Sequence, residues 1–373
     1  MADVDLPEPD RVEGAPHPRE THRLYGQETA QAEFLQAFNS GRLHHGWLIT
    51  GPKGIGKATL AWQIARFLLT QPVDQGTGLF GAPEKPTTLD SPEDHPVNAR
   101  IQAMSEPGLF LLRRGPNDKG DKLAAEILVG EVRKLKNFFA LSAADGGRRV
   151  VIVDAADEMN VSAANALLKV LEEPPANTTM LLICHQPSRL LPTIRSRCRE
   201  LRLAPLGPDA MEQALSQADV HEMEQPAALA ELSAGSVGEA IRLTSLNGLG
   251  IYQSLVDLYA TLPRLDRGRA LQLAESATAR GAEAKLDLLF ALNDLLLSRL
   301  ARFGALGMPP MVEVARGEAE LIARLCPYPA KARAWAELAQ EIGARSRHGR
   351  SVNLDPAALI LDTIFKIQKT AAA

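Results

Sequence analysis

Apolar positions change their spacing several times along this chain, and each change marks an element. Between residues 27 and 40, Ala30, Phe34, Ala37 and Phe38 recur at helical spacing. Trp47-Leu48-Ile49-Thr50 is then a short apolar run ending at Gly51, which predicts a strand feeding a glycine-rich turn. From Lys57 the period is helical again, with Leu60, Ile64 and Leu68 every four residues. Leu109-Phe110-Leu111-Leu112 predicts a second strand, and residues 127–139 a helix with Val132, Leu135, Phe138 and Phe139 on one side. Arg149 to Asp154 reads as a buried strand of the parallel type. A helix over 161–172 stops at Pro174-Pro175, and Met180 to Cys184 is another strand.

Strand and helix thus alternate over residues 24–205, the signature of a parallel sheet covered by helices. After Pro205 the strand signals vanish. Residues 207–245 read as short helices closing at Gly235-Ser236, and 250–370 as helical throughout. The densest stretch is 283–303, with Leu286, Leu289, Leu292, Leu296 and Leu300 on one stripe. Two regions break the pattern. Residues 1–20 carry Pro7, Pro9, Pro16 and Pro18 and little to bury, which predicts a disordered tail. Residues 71–100 are rich in proline and acids and predict an irregular insertion.

At 373 residues the chain is too long for one ordinary core, so two or three domains are expected. A formal net charge of -4 argues against a protein that coats DNA by releasing counterions. Cys184, Cys198 and Cys326 are odd in number and far apart, so neither a disulfide framework nor a zinc knuckle is indicated. That usage fits a reduced, cytoplasmic protein. The N-terminus lacks the apolar core of a signal peptide, and no apolar run reaches the roughly 18–20 residues of a membrane span.

The candidate chemistry starts at Gly51, where Gly51-Pro-Lys-Gly54-Ile-Gly56-Lys57-Ala58-Thr59 nearly matches the phosphate loop G-x-x-x-x-G-K-[ST]. The glycines let backbone N–H groups turn toward a phosphate, the helix N-terminus adds its dipole, and Lys57 reaches for the β- and γ-phosphates. Ala58 departs from the motif, because that position normally carries the hydroxyl that ligates Mg²⁺. Thr59 lies about 100° further around the helix and is a poor substitute. Two readings stand: real binding of ATP or ADP with Mg²⁺, or a loop kept for its fold that binds nucleotide weakly or passively. Asp154 ends a strand of the Walker-B type and would help hold Mg²⁺. The glutamate that would activate water after it is replaced by Ala155, and Glu158 is on the wrong turn. Little hydrolysis at the chain's own site is expected.

Three arginines crowd the segment Pro192-Thr-Ile-Arg195-Ser-Arg197-Cys198-Arg199, which read alone is a solvated basic turn. Three segments are distinctive in order and spacing. They are Arg42-Leu-His-His-Gly-Trp47, Asn165-Ala-Leu-Leu-Lys169-Val-Leu-Glu172-Glu-Pro-Pro175, and Thr193-Ile-Arg-Ser-Arg-Cys198. Together they resemble the clamp-loader subunits of the bacterial DNA polymerase III holoenzyme and their eukaryotic relatives, a clade of the AAA+ superfamily. The resemblance runs from about Leu24 to Leu243. It implies that Arg197 is an arginine finger, pointing across a subunit interface at the γ-phosphate of a neighbour's ATP. It also implies a sensor arginine in the lid of ATP-hydrolysing members, where this chain has Gly235-Ser236-Val237-Gly238.

With Ala58, Ala155 and Gly238 at the three ATP-handling positions and Arg197 kept, the pattern resembles the delta-prime branch, which triggers a neighbour without firing itself. Val352-Asn353-Leu354-Asp355-Pro356 resembles that branch too. Many members carry a four-cysteine zinc module after the phosphate-loop helix. The corresponding stretch 71–100 has no cysteine, so no zinc is expected. The implied architecture is a disordered tail over 1–21, an α/β AAA+ module with a parallel sheet over 22–205, a small helical lid over 206–247, and an all-α collar over 248–373. The implied partners are ATPase subunits of the gamma/tau type and a delta-type subunit, with the sliding clamp and primed DNA engaged indirectly. Two alternatives are an active AAA+ ATPase, either motor subunit or DNA-repair remodeller, and a purely structural scaffold.

Overall fold

The computed structural model describes residues 8–12, 14–72, 85–92, 94–117, 119–141, 147–220, 225–278, 282–310, 312–352 and 354–373. The described residues form two compact units. The first holds the described residues up to Asp219 together with Ser236–Gly238, and the second holds the rest. The expected lid is therefore divided between them.

The first unit opens with α1 (Glu28–Asn39), β1 (Gly46–Thr50) and α2 (Lys57–Thr70). Next come α3 (Pro96–Gln102), β2 (Leu109–Arg113), α4 (Val129–Leu141), β3 (Arg149–Asp154) and α5 (Val161–Glu172). It continues through β4 (Thr178–Cys184), α6 (Pro192–Arg195), β5 (Arg199–Arg202) and α7 (Pro208–Gln217). Among the described residues the sheet has five strands in the order β2-β3-β4-β1-β5. All its pairings are parallel, with Leu48 opposite Leu182 and Val151 opposite Met180. Every residue of β1 and β4 is buried, which is why both read as unbroken apolar runs. In a parallel sheet whose order departs from the chain order, the carboxyl ends of the central strands form the natural crevice. Thr50 and Asp154 both end there.

The helices follow from local chemistry. Asn160 caps α5 by accepting from Ala163 N at 2.9 Å, and Pro174-Pro175 stop it. Ala163, Ala164, Leu167 and Leu171 form its buried stripe against Leu48, Met180, Leu182 and Ile194. Each such large side chain stabilises the fold by about 1.5–3 kcal/mol relative to exposure.

Two expectations change, and one strand has no counterpart in the sequence pattern. β5 has no apolar run: only Leu201 of Arg199-Glu-Leu-Arg202 is buried, as suits an edge strand guarded by charge. The irregular insertion contains α3, started by Pro96 and capped by His95, whose ring accepts from Val97 N at 3.3 Å. Val97 and Ile101 on it are buried. Within that insertion, 73–84 and residue 93 lie outside the described residues. Residues 1–7 and 13 of the expected tail lie outside the described residues, while residues 8–12 and 14–21 are seated rather than loose and are held largely by charge. His17 is fully buried beside Asp10, 3.1 Å away, and Asp10 also pairs with Arg113. Arg66 of α2 donates to the carbonyls of Arg19 and Thr21 at 2.9 and 2.7 Å.

The second unit is helical: α8 (Pro226–Leu232), α9 (Val237–Ser245, from Glu239 on), α10 (Gly248–Ala260) and α11 (Arg267–Thr278). α12 (Glu283–Leu306), α13 (Glu318–Leu325), α14 (Pro329–Ser351) and α15 (Pro356–Ala372) complete it. The five leucines of the expected stripe on α12 are all buried. Asn353 of the C-terminal motif lies outside the described residues, while Asp355 caps α15 through Ala358 N at 3.0 Å. No helix among the described residues is long and apolar enough to cross a membrane.

Candidate functional site

The phosphate loop leaves β1 at Gly51 and enters α2 at Lys57. Gly51, Gly54 and Gly56 have φ of +142°, +80° and +98°, so the loop has the left-handed backbone that a side chain resists. At Gly54 there is no space either, since a Cβ would strike the Ser236 hydroxyl and sit 3.2 Å from Gly238 Cα. Ser236 Oγ donates to Lys53 O at 2.9 Å, and Gly238 N donates to Gly54 O at 3.0 Å. The segment with Gly238 in place of a sensor arginine is thus bonded directly to the loop.

Lys57 is buried, and its Nζ donates to Gly51 O at 2.7 Å and to Pro52 O. Burial lowers its pKa to about 8 against the opposing pull of the Asp154 and Asp157 carboxylates. Asp154 moves the other way, to about 7, raised first by burial and then by the charges of Asp10 and Glu158, with Lys57 and Arg113 opposing. Lysine and aspartate face the same end of the sheet, yet desolvation outweighs their attraction. Thr59 lies on the first turn of α2, half-buried. Ala155 is buried directly after Asp154, and Glu158 spends its carboxylate on Arg114 Nε at 2.8 Å. The position directly after Asp154 thus carries no carboxylate, and that of Glu158 is engaged by Arg114.

Two acidic groups of this site had no sequence signature. Asp157 accepts from the backbone N–H groups of His185 and Gln186 at 2.9 and 3.0 Å, tying the segment after β3 to the end of β4. His185 is held neutral, its pKa lowered to about 4 by burial and then by Lys57. Asp10 comes from the N-terminal segment. Burial acts to raise its pKa, but the hydrogen bond with His17 and the charge of Arg113 prevail, and the net shift is down.

Arg197 is placed elsewhere. It follows α6 on a turn closed by Ser196 N to Pro192 O at 3.0 Å and anchored by the buried Ile194. Its half-exposed guanidinium pairs with Glu172 through Nη2 at 2.9 Å, and Nη1 donates to Thr193 O at 3.0 Å. The turn runs into β5, and Arg199 lies opposite Trp47 in the sheet register. Arg197 therefore sits at the amino ends of the strands, whereas Gly51, Gly54, Gly56, Lys57 and Asp154 gather at the carboxyl ends. Five residues of β1 separate the two edges, about 16 Å at the usual rise per residue. The fold brings the phosphate-loop residues together and keeps Arg197 away from them.

The sequence profile of the family described as DNA polymerase III, delta subunit, matches residues 26–207. The DNA polymerase III subunit delta' of Pseudomonas aeruginosa is 36% identical over 248 residues, covering 66% of this chain and 69% of that protein. The Escherichia coli K12 protein of the same name is 30% identical over 339 residues, 90% of this chain and 92% of that one. The DNA polymerase III subunit tau of Salmonella typhimurium is 27% identical over 274 residues, covering 71% of this chain but 39% of tau. With a parallel sheet, a phosphate loop, one delta' relative matched over 90% of the chain and another over 66%, the chain belongs to the DNA polymerase III subunit delta' family.

Proposed function

We propose that this chain is a clamp-loader subunit of the replicative DNA polymerase III holoenzyme, and that it supplies Arg197 as an arginine finger to ATP held by a neighbouring subunit of the gamma/tau type. The observation that carries this reading is the separation of Arg197 from the chain's own phosphate loop by the length of β1. An arginine at the amino edge of the sheet is out of reach of a nucleotide on the chain's own loop, so ATP would meet it only from a neighbouring subunit. Guanidinium suits the task because it stays charged and offers donors in a rigid fork. It would stabilise the charge that builds on the transferring phosphoryl group.

The chain's own loop is read as binding ATP or ADP with Mg²⁺ weakly or not at all, given Ala58, Ala155 and the Lys57 ammonium already bonded to loop carbonyls. The all-helical unit is read as a collar that packs with other loader subunits, among them a delta-type subunit, in the cytoplasm. The sliding clamp and primed DNA are engaged through the assembly, and polymerisation belongs to other subunits.

The test is a loader reconstituted with its gamma/tau-type ATPase and delta-type subunits. Arg197→Ala leaves assembly intact and lowers hydrolysis at the affected site on the order of 10³-fold. Arg197→Lys recovers little, because an ammonium lacks the fork. Unchanged hydrolysis in Arg197→Ala removes the residue from this role.

A further inference from the structure

An arginine on an exposed turn samples many rotamers, and a finger that samples many rotamers positions charge poorly. Here the turn and the side chain are both held. Gly46 opens β1, and a Cβ on it would lie 3.1 Å from Leu171 Cδ2, 3.2 Å from Arg197 O and 3.3 Å from Cys198 Sγ. The entry to β1 therefore receives the end of α5 and the Arg197 turn at one point. His45 Nε2 bonds Leu171 O at 3.0 Å. That carbonyl is among the last four of α5, which have no partner within the helix. The residue after it is Glu172, whose carboxylate reaches Arg197 Nη2 at 2.9 Å. The Arg42–Trp47 segment, distinctive in sequence but without an assigned role, thus fixes the backbone on which this ion pair is built.

We propose that Glu172 is a positioning residue for Arg197, holding one edge of the guanidinium while Thr193 O holds another. The inference rests on the reading of Arg197 as a finger used in trans. A guanidinium has five N–H groups. Glu172 occupies one hydrogen on Nη2, and Nη1 donates to Thr193 O and, at 3.4 Å, to Ser196 Oγ, leaving Nε–H and the second Nη2 hydrogen for phosphate oxygens. Glu172 thereby fixes the plane of the fork without using up its donors. Because the pair is exposed, its effect is modest, about two- to five-fold in rate rather than orders of magnitude.

The experiment is single-turnover ATP hydrolysis by the reconstituted loader, following the phase that Arg197→Ala slows. Glu172→Ala slows that phase about two- to five-fold and leaves ATP affinity unchanged. Glu172→Gln keeps an acceptor oxygen for Nη2 and stays near wild type. In an Arg197→Ala background, Glu172→Ala adds nothing. A Glu172→Ala loader as fast as wild type or faster, or one that loses the same factor with Arg197 already removed, overturns the proposal. Glu172 is exposed, so these variants fold. Hydrolysis indifferent to Arg197→Ala sinks the finger reading itself and this inference with it. A deficient Arg197→Ala beside a normal Glu172→Ala sinks the positioning role alone.

Discussion

Lys57 donates its ammonium to the carbonyl oxygen of Gly51 at 2.7 Å, so the charge of the phosphate loop is bonded to the loop's own backbone. A triphosphate entering the site must break this bond and the one to Pro52 O before it gains the lysine. Hydrogen bonds from a charged group are worth about 1.5–3 kcal/mol each, or about one to two orders of magnitude in affinity. The Ser236 and Gly238 contacts to Lys53 O and Gly54 O hold the loop in this arrangement.

The expected outcome is that the purified chain hydrolyses ATP at background and that Lys57→Ala leaves this rate unchanged. A phosphate-release assay with excess Mg²⁺ checks it. Robust turnover that disappears in Lys57→Ala would mean that the loop rearranges and that Ala58 and Ala155 are compensated by other groups.

The strands were legible wherever burial is two-sided. Trp47–Thr50, Arg149–Asp154 and Met180–Cys184 each lie inside the observed strand, because a parallel strand between helices must be apolar along its length. Helix 161–172 matched at both ends because its start and stop are local chemistry, Asn160 and Pro174. β5 escaped notice because one buried Leu201 among three exposed charges leaves no period to read. The glycines, Lys57 and Asp154 were legible as a site from motif spacing. Asp10, Asp157 and Glu172 were not, since their roles depend on Arg113, His185 and Arg197, partners on other elements that no periodicity predicts.

The N-terminal segment gives a prediction of a different kind. Asp10 has a lowered pKa, so its contribution to stability is fully present above the ordinary value of 3.8 and is lost as pH falls through the lower folded value. Asp10→Asn removes a buried carboxylate from His17 and Arg113, a change worth about 1–3 kcal/mol of local stability. Hydrogen–deuterium exchange over residues 14–22 is expected to speed up roughly tenfold or more in Asp10→Asn at pH 7, since about 1.4 kcal/mol is one decade. After correction for intrinsic exchange, the difference between wild type and variant closes below the ordinary carboxylate pKa. Equal exchange at pH 7 would show that apolar contacts such as His17 against Trp62, with ring centroids 5.9 Å apart, suffice to hold the segment.

The second unit carries its own buried charge, at Glu318. Its Oε1 accepts from the Tyr252 hydroxyl at 2.6 Å and meets Arg299 Nε at 2.7 Å, while Oε2 accepts from Val314 N at 2.9 Å. Burial and then this carboxylate push the Tyr252 phenol well above its ordinary pKa, so it stays a donor. Arg299 is buried too and reaches Glu231 at 2.7 Å and Val312 O at 2.7 Å. Glu318→Ala leaves a buried guanidinium short of its partner and orphans one hydroxyl and one amide, a loss of about 3–5 kcal/mol. For a unit of this size that lowers the Tm by roughly 10 °C. Glu318→Gln keeps one acceptor oxygen for Tyr252 and Arg299 but loses the charge and turns an NH2 donor toward the Val314 N–H, so it falls between. Calorimetry on the full chain checks both. A Glu318→Ala chain melting within a degree of wild type would mean that Glu231 alone satisfies Arg299 and that water replaces the carboxylate.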